Sequence, residues 1–490
     1  MIDSNNTYTR IQNWILGDRA LLLKKGILQL VILLTATSVA HAQSASAPAA
    51  PADDSLTFHG ITLYGIVDVG LQNQSHGAPI NDYFPAGSAD IVQKNSNHSI
   101  TGVTPSNLSQ SRVGLQGAEP LVGDWNAVFK LETYFNPQSG DISDALKSLA
   151  QNNGRALGSQ STNLDSSIGG QVFQQSFAGF SSKTFGTVTF GRQNTVLADG
   201  IAKYDPNFAS QAFSLIGLSG TTAGGGDTQN RRMDSSLKYV GTFGGVAHLA
   251  AEYKFNQSTG GANTAFEVSA GGEFAGLSVD AFYTKVKDAV SVAALSAGQV
   301  AGLPGLCPDP VPTGGACVAA SPSTALAATI SDNTAYALMG LYNLGAVKLY
   351  AGYEHIQYAN PDTPLTAGFN VANYTIAYVN NAAFPTDKTL QVFWGGVRYT
   401  VLPNLDLVGA YYGYKQNSYG IGANAGCSTS KAGTCSGTED DISFDADYRL
   451  TKRFDVYAGI MYTGVKDGLA NGYLFHTTDI TTTTGVRFKF

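Results

Sequence analysis

A two-residue rhythm, repeated over segments of about ten residues along most of the chain, constrains the fold more than any other feature. In AHLAAEYKF, starting at 247, Ala247, Leu249, Ala251, Tyr253 and Phe255 share one side, and His248, Ala250, Glu252 and Lys254 the other. LSVDAFYTK sets Leu277, Val279, Ala281 and Tyr283 against Ser278, Asp280, Phe282 and Thr284. ISFDADYRL sets Ile442, Phe444, Ala446, Tyr448 and Leu450 against Ser443, Asp445, Asp447 and Arg449. At the chain's end Thr484, Val486, Phe488 and Phe490 alternate with Arg487 and Lys489. Successive side chains of an extended strand point to opposite faces, so each segment reads as a strand with one apolar and one polar face.

A soluble β-sandwich would also alternate, but three features argue against it. The connections alternate between very short and very long, strand ends carry aromatics, and the polar faces repeatedly carry charge. Short turns fall at 120–124, 185–186, 243–245, 275–276, 344–345, 403–404 and 451–452. Long Gly/Asn/Ser/Thr-rich stretches fall near 72–110, 136–172, 194–233, 256–264, 287–332, 359–388, 416–438 and 465–476. Seven tight turns and eight long loops make eight hairpins, hence sixteen strands with both ends on the short-turn side. Short turns on one rim and long loops on the other are the asymmetry of outer-membrane barrels. A closed barrel also leaves no backbone edge open to lipid. With 56 glycines, 10% aromatics and only 13% charged residues, the surface suits lipid better than water. The predicted class is therefore all-β: a 16-stranded antiparallel transmembrane β-barrel with short periplasmic turns and long extracellular loops. That strand number is too wide for side chains to fill, so the polar faces line an aqueous channel. Register is ambiguous over 405–415, where Tyr411, Tyr412 and Tyr414 fall on both faces.

The N-terminus predicts export. Lys24 and Lys25 precede an apolar run, 26–39, that ends in Ala40-His41-Ala42. This is a basic region, an apolar region and a small-x-small cleavage site, so residues 1–42 read as a signal peptide with an extended lead-in, cleaved after Ala42. The run is shorter than the ~20 residues a spanning helix needs. An upstream mis-assigned start accounts for 1–23. Residues 43–56 form an Ala/Pro-rich periplasmic tether, and 57–490 the barrel. Cleavage leaves 448 residues with 25 Lys+Arg against 34 Asp+Glu, a balance that argues against nucleic acid as a partner. In an exported chain the local cysteine pairs predict two loop-closing disulfides, Cys307–Cys317 and Cys427–Cys435. A zinc site is the rival reading, with no histidine near either pair to support it. No cofactor or metal is implied, and no histidine sits in a nucleophile motif, so the chain is not read as an enzyme. A TonB-dependent receptor would need a plug domain and more strands.

Several segments resemble the trimeric porins of β-proteobacteria, the general-diffusion family that includes the Burkholderia and Neisseria proteins. ITLYGIVDVG at 61–70 resembles that family's first strand and SRVGLQG at 111–117 its second. FGTVTFGRQ at 185–193 is similar to the turn and strand before its constriction loop, and YRLTKRFDVYAGIMYTGV at 448–465 with TTGVRFKF to its closing hairpin. The resemblance implies an outer-membrane channel for passive diffusion of small hydrophilic solutes and ions. It implies a homotrimer in outer-membrane lipid and lipopolysaccharide, and a terminal Phe490 read by the barrel-assembly machinery.

It also implies that the third long loop folds into the barrel and sets the bore, its acids facing basic residues on the opposite wall. Here that loop is roughly 194–233, with Asp199, Asp205 and Asp227 and with Lys203 between the first two. Asp199 and Asp205 correspond by spacing to the acidic positions; Arg112 and Arg232, with Arg231 beside it, correspond to the basic ones. A third family arginine is replaced by Gln174, and the Pro-Glu-Phe-Gly-Gly segment of enterobacterial relatives is absent. Lys130 and Glu132 are expected to line the lumen. A substrate-specific channel for sugars or carboxylates is the alternative function. It would show a ladder of lumen aromatics, where only Tyr350 and Tyr457 stand out, and adhesin-like roles of the loops stay open.

Overall fold

The alternating segments close on themselves. The computed structural model describes residues 56–77, 80–83, 97–161, 171–216, 231–255, 264–303, 305–306, 318–425 and 432–490. The wall begins with β1 (Ile61–Gly77), β2 in two pieces (His98–Pro105 and Arg112–Pro120), β3 (Trp125–Tyr134), β4 (Gln175–Ser182) and β5 (Gly186–Asn194). It continues with β6 (Arg232–Phe243), β7 (Ala247–Lys254), β8 (Ala265–Phe274), β9 (Leu277–Ala293), β10 (Ala325–Leu344) and β11 (Val347–Ala359). The last strands are β12 (Lys388–Leu402), β13 (Leu405–Gln416), β14 (Gly437–Arg449), β15 (Phe454–Asp467) and β16 (Thr478–Lys489). Each strand pairs antiparallel with the next. β16 returns to β1 in the register Ile66↔Lys489 to Gln74↔Thr481. The result is a closed sixteen-stranded barrel with every wall strand paired on both sides, the arrangement that satisfies backbone groups inside a bilayer. Among the described residues, no helix is long and apolar enough to cross a membrane.

The faces sort as the alternation requires. Leu249, Tyr253, Leu277, Tyr283, Ile442 and Phe444 are exposed on the outer surface, whereas Glu252, Asp280, Asp445 and Asp447 are turned inward and buried. In β13 the ambiguity resolves: Tyr411 is 37% exposed, while Tyr412 and Tyr414 are 0% and 1% exposed. The interior is far from uniformly polar. Ala335, Ala337, Met339, Ile356, Leu390, Val392, Trp394, Tyr412 and Met461 form one apolar cluster with Leu197, Ile201, Tyr204, Leu215 and Ile216 of the third loop. That loop therefore packs against one side of the lumen.

The seam where the barrel closes involves the chain's last residue. The amide of Gly65 donates to the Phe490 carbonyl at 2.9 Å, and the Phe490 amide donates back to Gly65 at 3.1 Å. The Phe490 ring lies over Gly65 so closely that a Cβ there would sit 2.4 Å from its Cζ atom.

Candidate pore constriction

The third long loop, 195–231, enters the lumen as helix α1, Val196–Tyr204. Its start is fixed locally: the Thr195 side chain accepts a hydrogen bond from the Ala198 amide at 3.1 Å. Asp199 in the first turn and Lys203 in the last suit the helix dipole. Gly200 lets the helix approach β9, since a Cβ at that position would lie 2.3 Å from the Phe282 ring.

The loop is then tied to one wall strand after another. The Leu197 amide donates to Glu267 on β8 at 3.1 Å. On β9, Asp280 accepts from Lys203 at 3.0 Å and from the Tyr204 hydroxyl at 2.5 Å. Trp394 on β12 donates to the Tyr204 carbonyl at 3.1 Å, and Arg398 to the Pro206 carbonyl at 2.8 Å. Tyr412 on β13 donates to Asp205 at 2.8 Å, and Asn207 to Ser443 on β14 at 3.1 Å. The path then reaches the interruption of β2, where the Asn107 carbonyl accepts from the Ser210 hydroxyl and the Ala212 amide, both at 2.9 Å.

On the facing wall the predicted basic residues gather around Tyr134 and Glu132. Arg112 Nε lies 3.7 Å from Glu132, and Lys130 Nζ 3.5 Å from it. Glu132 is 1% exposed and accepts from the Tyr64 hydroxyl at 2.9 Å and Gln175 at 2.8 Å. Arg232 donates to the Tyr134 hydroxyl, and its guanidinium lies 4.7 Å from that ring's centroid. Burial pushes the Arg231 pKa down, and repulsion from Arg232 and Arg112 adds to this, while Asp205 pulls the other way. Among the described residues, Arg112 Nε and the Nε and Nη1 atoms of Arg232 have no hydrogen-bond partner. Arg112, Lys130 and Arg232 around one carboxylate, with N–H groups to spare on the two arginines and Arg231 beside Arg232, make a surface that attracts anions.

The predicted acids have partners of their own. Asp199 is paired with Lys238 on β6 at 2.6 Å, and its side chain is 52% exposed. Asp205 is fully buried. It accepts the Ala209 amide at 2.7 Å besides Tyr412, and burial raises its pKa against those hydrogen bonds. Asp227 lies outside the described residues. The structure thus brings Arg112, Arg231, Arg232, Lys130 and Glu132 together and turns Asp205, on the loop, toward Tyr412 of β13.

Sequence reasoning gave no site role to several charged residues of that other wall. Glu439, Asp441, Asp445 and Asp447 face inward along β14, and all are buried. Asp447 and Asp455 are held by Arg487 at 2.8 and 2.6 Å, and Asp406 by Arg398 and Arg449 at 3.2 and 2.7 Å. Asp445 lies beside Phe213 of the third loop where that ring packs on Gly459. The alternation of ISFDADYRL marked Asp445 and Asp447 as inward, but no sequence signal tells which inward residues a loop will cover.

Gln174 accepts from Arg192 at 3.5 Å. Tyr350 and Tyr457 are 4% and 1% exposed, so neither offers an open aromatic track. Cys435 is engaged in a disulfide. Cys307, Cys317 and Cys427 lie outside the described residues, as do residues 1–55.

Comparison with known proteins agrees with the barrel fold. An outer membrane porin protein of Bordetella pertussis is 28% identical over 158 residues, 32% of this chain. The match spans about a third (34%) of that relative's length. Among solved structures, the anion-selective porin from Comamonas acidovorans superposes with a TM-score of 0.55 at 17% identity, covering 88% of this chain and 99% of that one. OmpT of Vibrio cholerae gives 0.52 at 15% identity, covering 89% and 100%. At such identities these two likenesses concern the fold alone. A family model described as Gram-negative porin matches residues 30–468, nearly the whole barrel, and the chain therefore belongs to the Gram-negative porin family.

Proposed function

We propose that the protein is an outer-membrane porin through which small hydrophilic solutes and ions diffuse passively, sorted where the third loop faces Arg112, Arg231 and Arg232. The observation that carries this reading is the loop itself, lying inside a closed barrel against β8–β14 while the arginine-bearing wall is left facing it. Arg112, Arg231, Arg232 and Lys130 outnumber Glu132, so the narrow region favours anions. Asp199, which touches the lumen, and Asp205, buried on the loop, supply the opposing charge of a transverse field. Residues 1–42 act as a cleaved signal, 43–56 as a tether, and Phe490 as the assembly signal.

The working unit in this reading is a homotrimer in lipid and lipopolysaccharide. The periplasmic end of the outer wall supports it with a groove floored by Gly117, Ala118, Ala127, Ala178 and Gly179 and rimmed by Phe129, Phe180 and Phe190. Small residues between aromatics allow close approach of a second copy. Purified protein in a planar bilayer should conduct in steps grouped by three, with a reversal potential on the anion side in a salt gradient. Folded, inserted protein that stays electrically silent would overturn the channel reading, and cation preference would overturn the role given to the arginines.

A further inference from the structure

The wall has one costly irregularity. Between Pro105 and Arg112 strand β2 leaves the ladder, so the strand is in two pieces where its neighbours are continuous. Ser106 adopts a φ of 60°, a left-handed conformation that side chains other than glycine avoid. Lipid tolerates irregular backbone only where other groups satisfy it; here the Ser106 amide donates to the Asp68 carbonyl and the Ser111 amide to the Ser106 hydroxyl, and the Asp68 carboxylate takes two more amides. Asp68 Oδ2 accepts the amides of Leu108 and Ser109 at 2.9 and 2.8 Å, and its other oxygen accepts the Tyr457 hydroxyl. Tyr457 in turn accepts from Asn107 Nδ2 at 3.0 Å. Asp68 is 0% exposed and is therefore committed to this knot rather than to the lumen.

The outcome of the knot is the position of one carbonyl. Asn107 is presented inward, where its oxygen receives both Ser210 and Ala212 of the third loop. Leu108 packs with Ala212, Phe213 and Tyr457 in a small apolar cluster beside them. Before this point the loop is held by Asn207, bonded to Ser443 on β14, and by Phe208, whose ring lies 4.3 Å from the Arg398 guanidinium. Under the loop lies Asp445, 2% exposed, with Oδ2 lacking a hydrogen-bond partner among the described residues.

We propose that Asp68 is a positioning residue for the pore: by shaping the interruption of β2 it latches residues 210–212 of the third loop, sets the bore, and keeps Asp445 out of the lumen. The proposal rests on the channel reading above. Released, this part of the loop uncovers Asp445 to water, where an aspartate is ionised at neutral pH. Loss of the latch therefore has two linked consequences, a wider channel and a shift of selectivity toward cations. A merely structural role for Asp68 would lower the yield of folded barrel without moving selectivity.

The test compares full-length wild-type protein with Asp68→Ala and with the loop-side variant Ser210→Ala/Ala212→Pro, which removes the hydroxyl and the amide that Asn107 receives and leaves the wall intact. Both variants should raise single-channel conductance and move the reversal potential in a potassium chloride gradient toward the cation side. Adding Asp445→Asn should cancel the shift in reversal potential while the higher conductance remains. Should Asp68→Ala fail to fold, the loop-side variant decides alone. Wild-type conductance and reversal potential in the loop-side variant overturn the latch, as does a shift that survives Asp445→Asn. A silent wild-type protein would instead overturn the channel reading, so the two failures are distinct.

Discussion

Arg112 differs from the other basic residues of the constriction in being both close to Glu132 and about a third open to the lumen, its side chain 32% exposed. Its charge thus acts directly on passing ions, whereas Arg232, 5% exposed, acts through the field and through Tyr134. Arg112→Ala is expected to move the reversal potential toward cations and to admit larger solutes, read by bilayer recording and liposome swelling. Asp199→Ala should move it the other way, and more than Asp205→Ala, because Asp199 is half exposed and Asp205 is covered. These shifts should shrink with salt, since exposed charges are screened over about 10 Å at 0.1 M; shifts that ignore ionic strength would point to altered bore instead. Asp205 also predicts a pH effect. Burial raises its pKa above the ordinary 3.8, so the seated loop binds the proton more tightly than a released loop would. Seating is then favoured as pH falls toward 3.8 and weakens as pH rises through the raised value. Swelling rates should fall on acidification, and Asp205→Asn should flatten that response; an unchanged response would assign it to other groups.

Strands were the most legible level of this molecule, because alternation is a property of adjacent residues and needs no knowledge of distant ones. Tight turns and long loops located all sixteen wall strands, and the faces of β7, β9 and β14 follow the alternation residue by residue. What could not be read depends on residues far apart in sequence. The tyrosines of β13 were ambiguous because Tyr412 and Tyr414 are apolar-looking residues on an inward face, covered by a loop whose path only the fold determines. The first piece of β2, His98–Pro105, was equally hidden: the sequence reading placed 72–110 in a long loop, and it is Asp68, some forty residues before the break, that organises the interruption. The closing seam is an element-level feature with a sharp steric test. Gly65 is covered by the Phe490 ring and lies near the Arg112 carbonyl, 2.8 Å from where a Cβ would stand. Gly65→Leu must push the terminal ring away, an overpacking cost of about 1–3 kcal/mol. The heat-modifiable folded band on a gel should weaken markedly relative to wild type; an unchanged band would mean that Phe490 can rest elsewhere.

For the whole molecule, the division of labour between wall and loops decides how it responds to reduction. The wall has no free edge, and its pairing runs unbroken from β2 through β16 back to β1, so opening any strand costs two ladders at once. The disulfide at Cys435 sits beyond that wall, just before β14, with its carbonyl accepting from Gln416 at 2.7 Å. If its partner is Cys427, the closed loop is short, and chain entropy makes its contribution about 2–3 kcal/mol. That energy belongs to the seventh loop and does not pass through the constriction, whose arginines are on β2 and at the start of β6. Reduction should therefore increase proteolytic cutting within 417–436 while conductance and reversal potential stay as in the oxidised protein. The same holds for Cys307 and Cys317 in the fifth loop if they pair with each other. Mass mapping of non-reduced peptides must first find these two local pairs; free thiols or crossed pairs would refute the assignment. Given the local pairs, a channel that closes or loses conductance on reduction would show that the loops, and not the wall alone, hold the pore open.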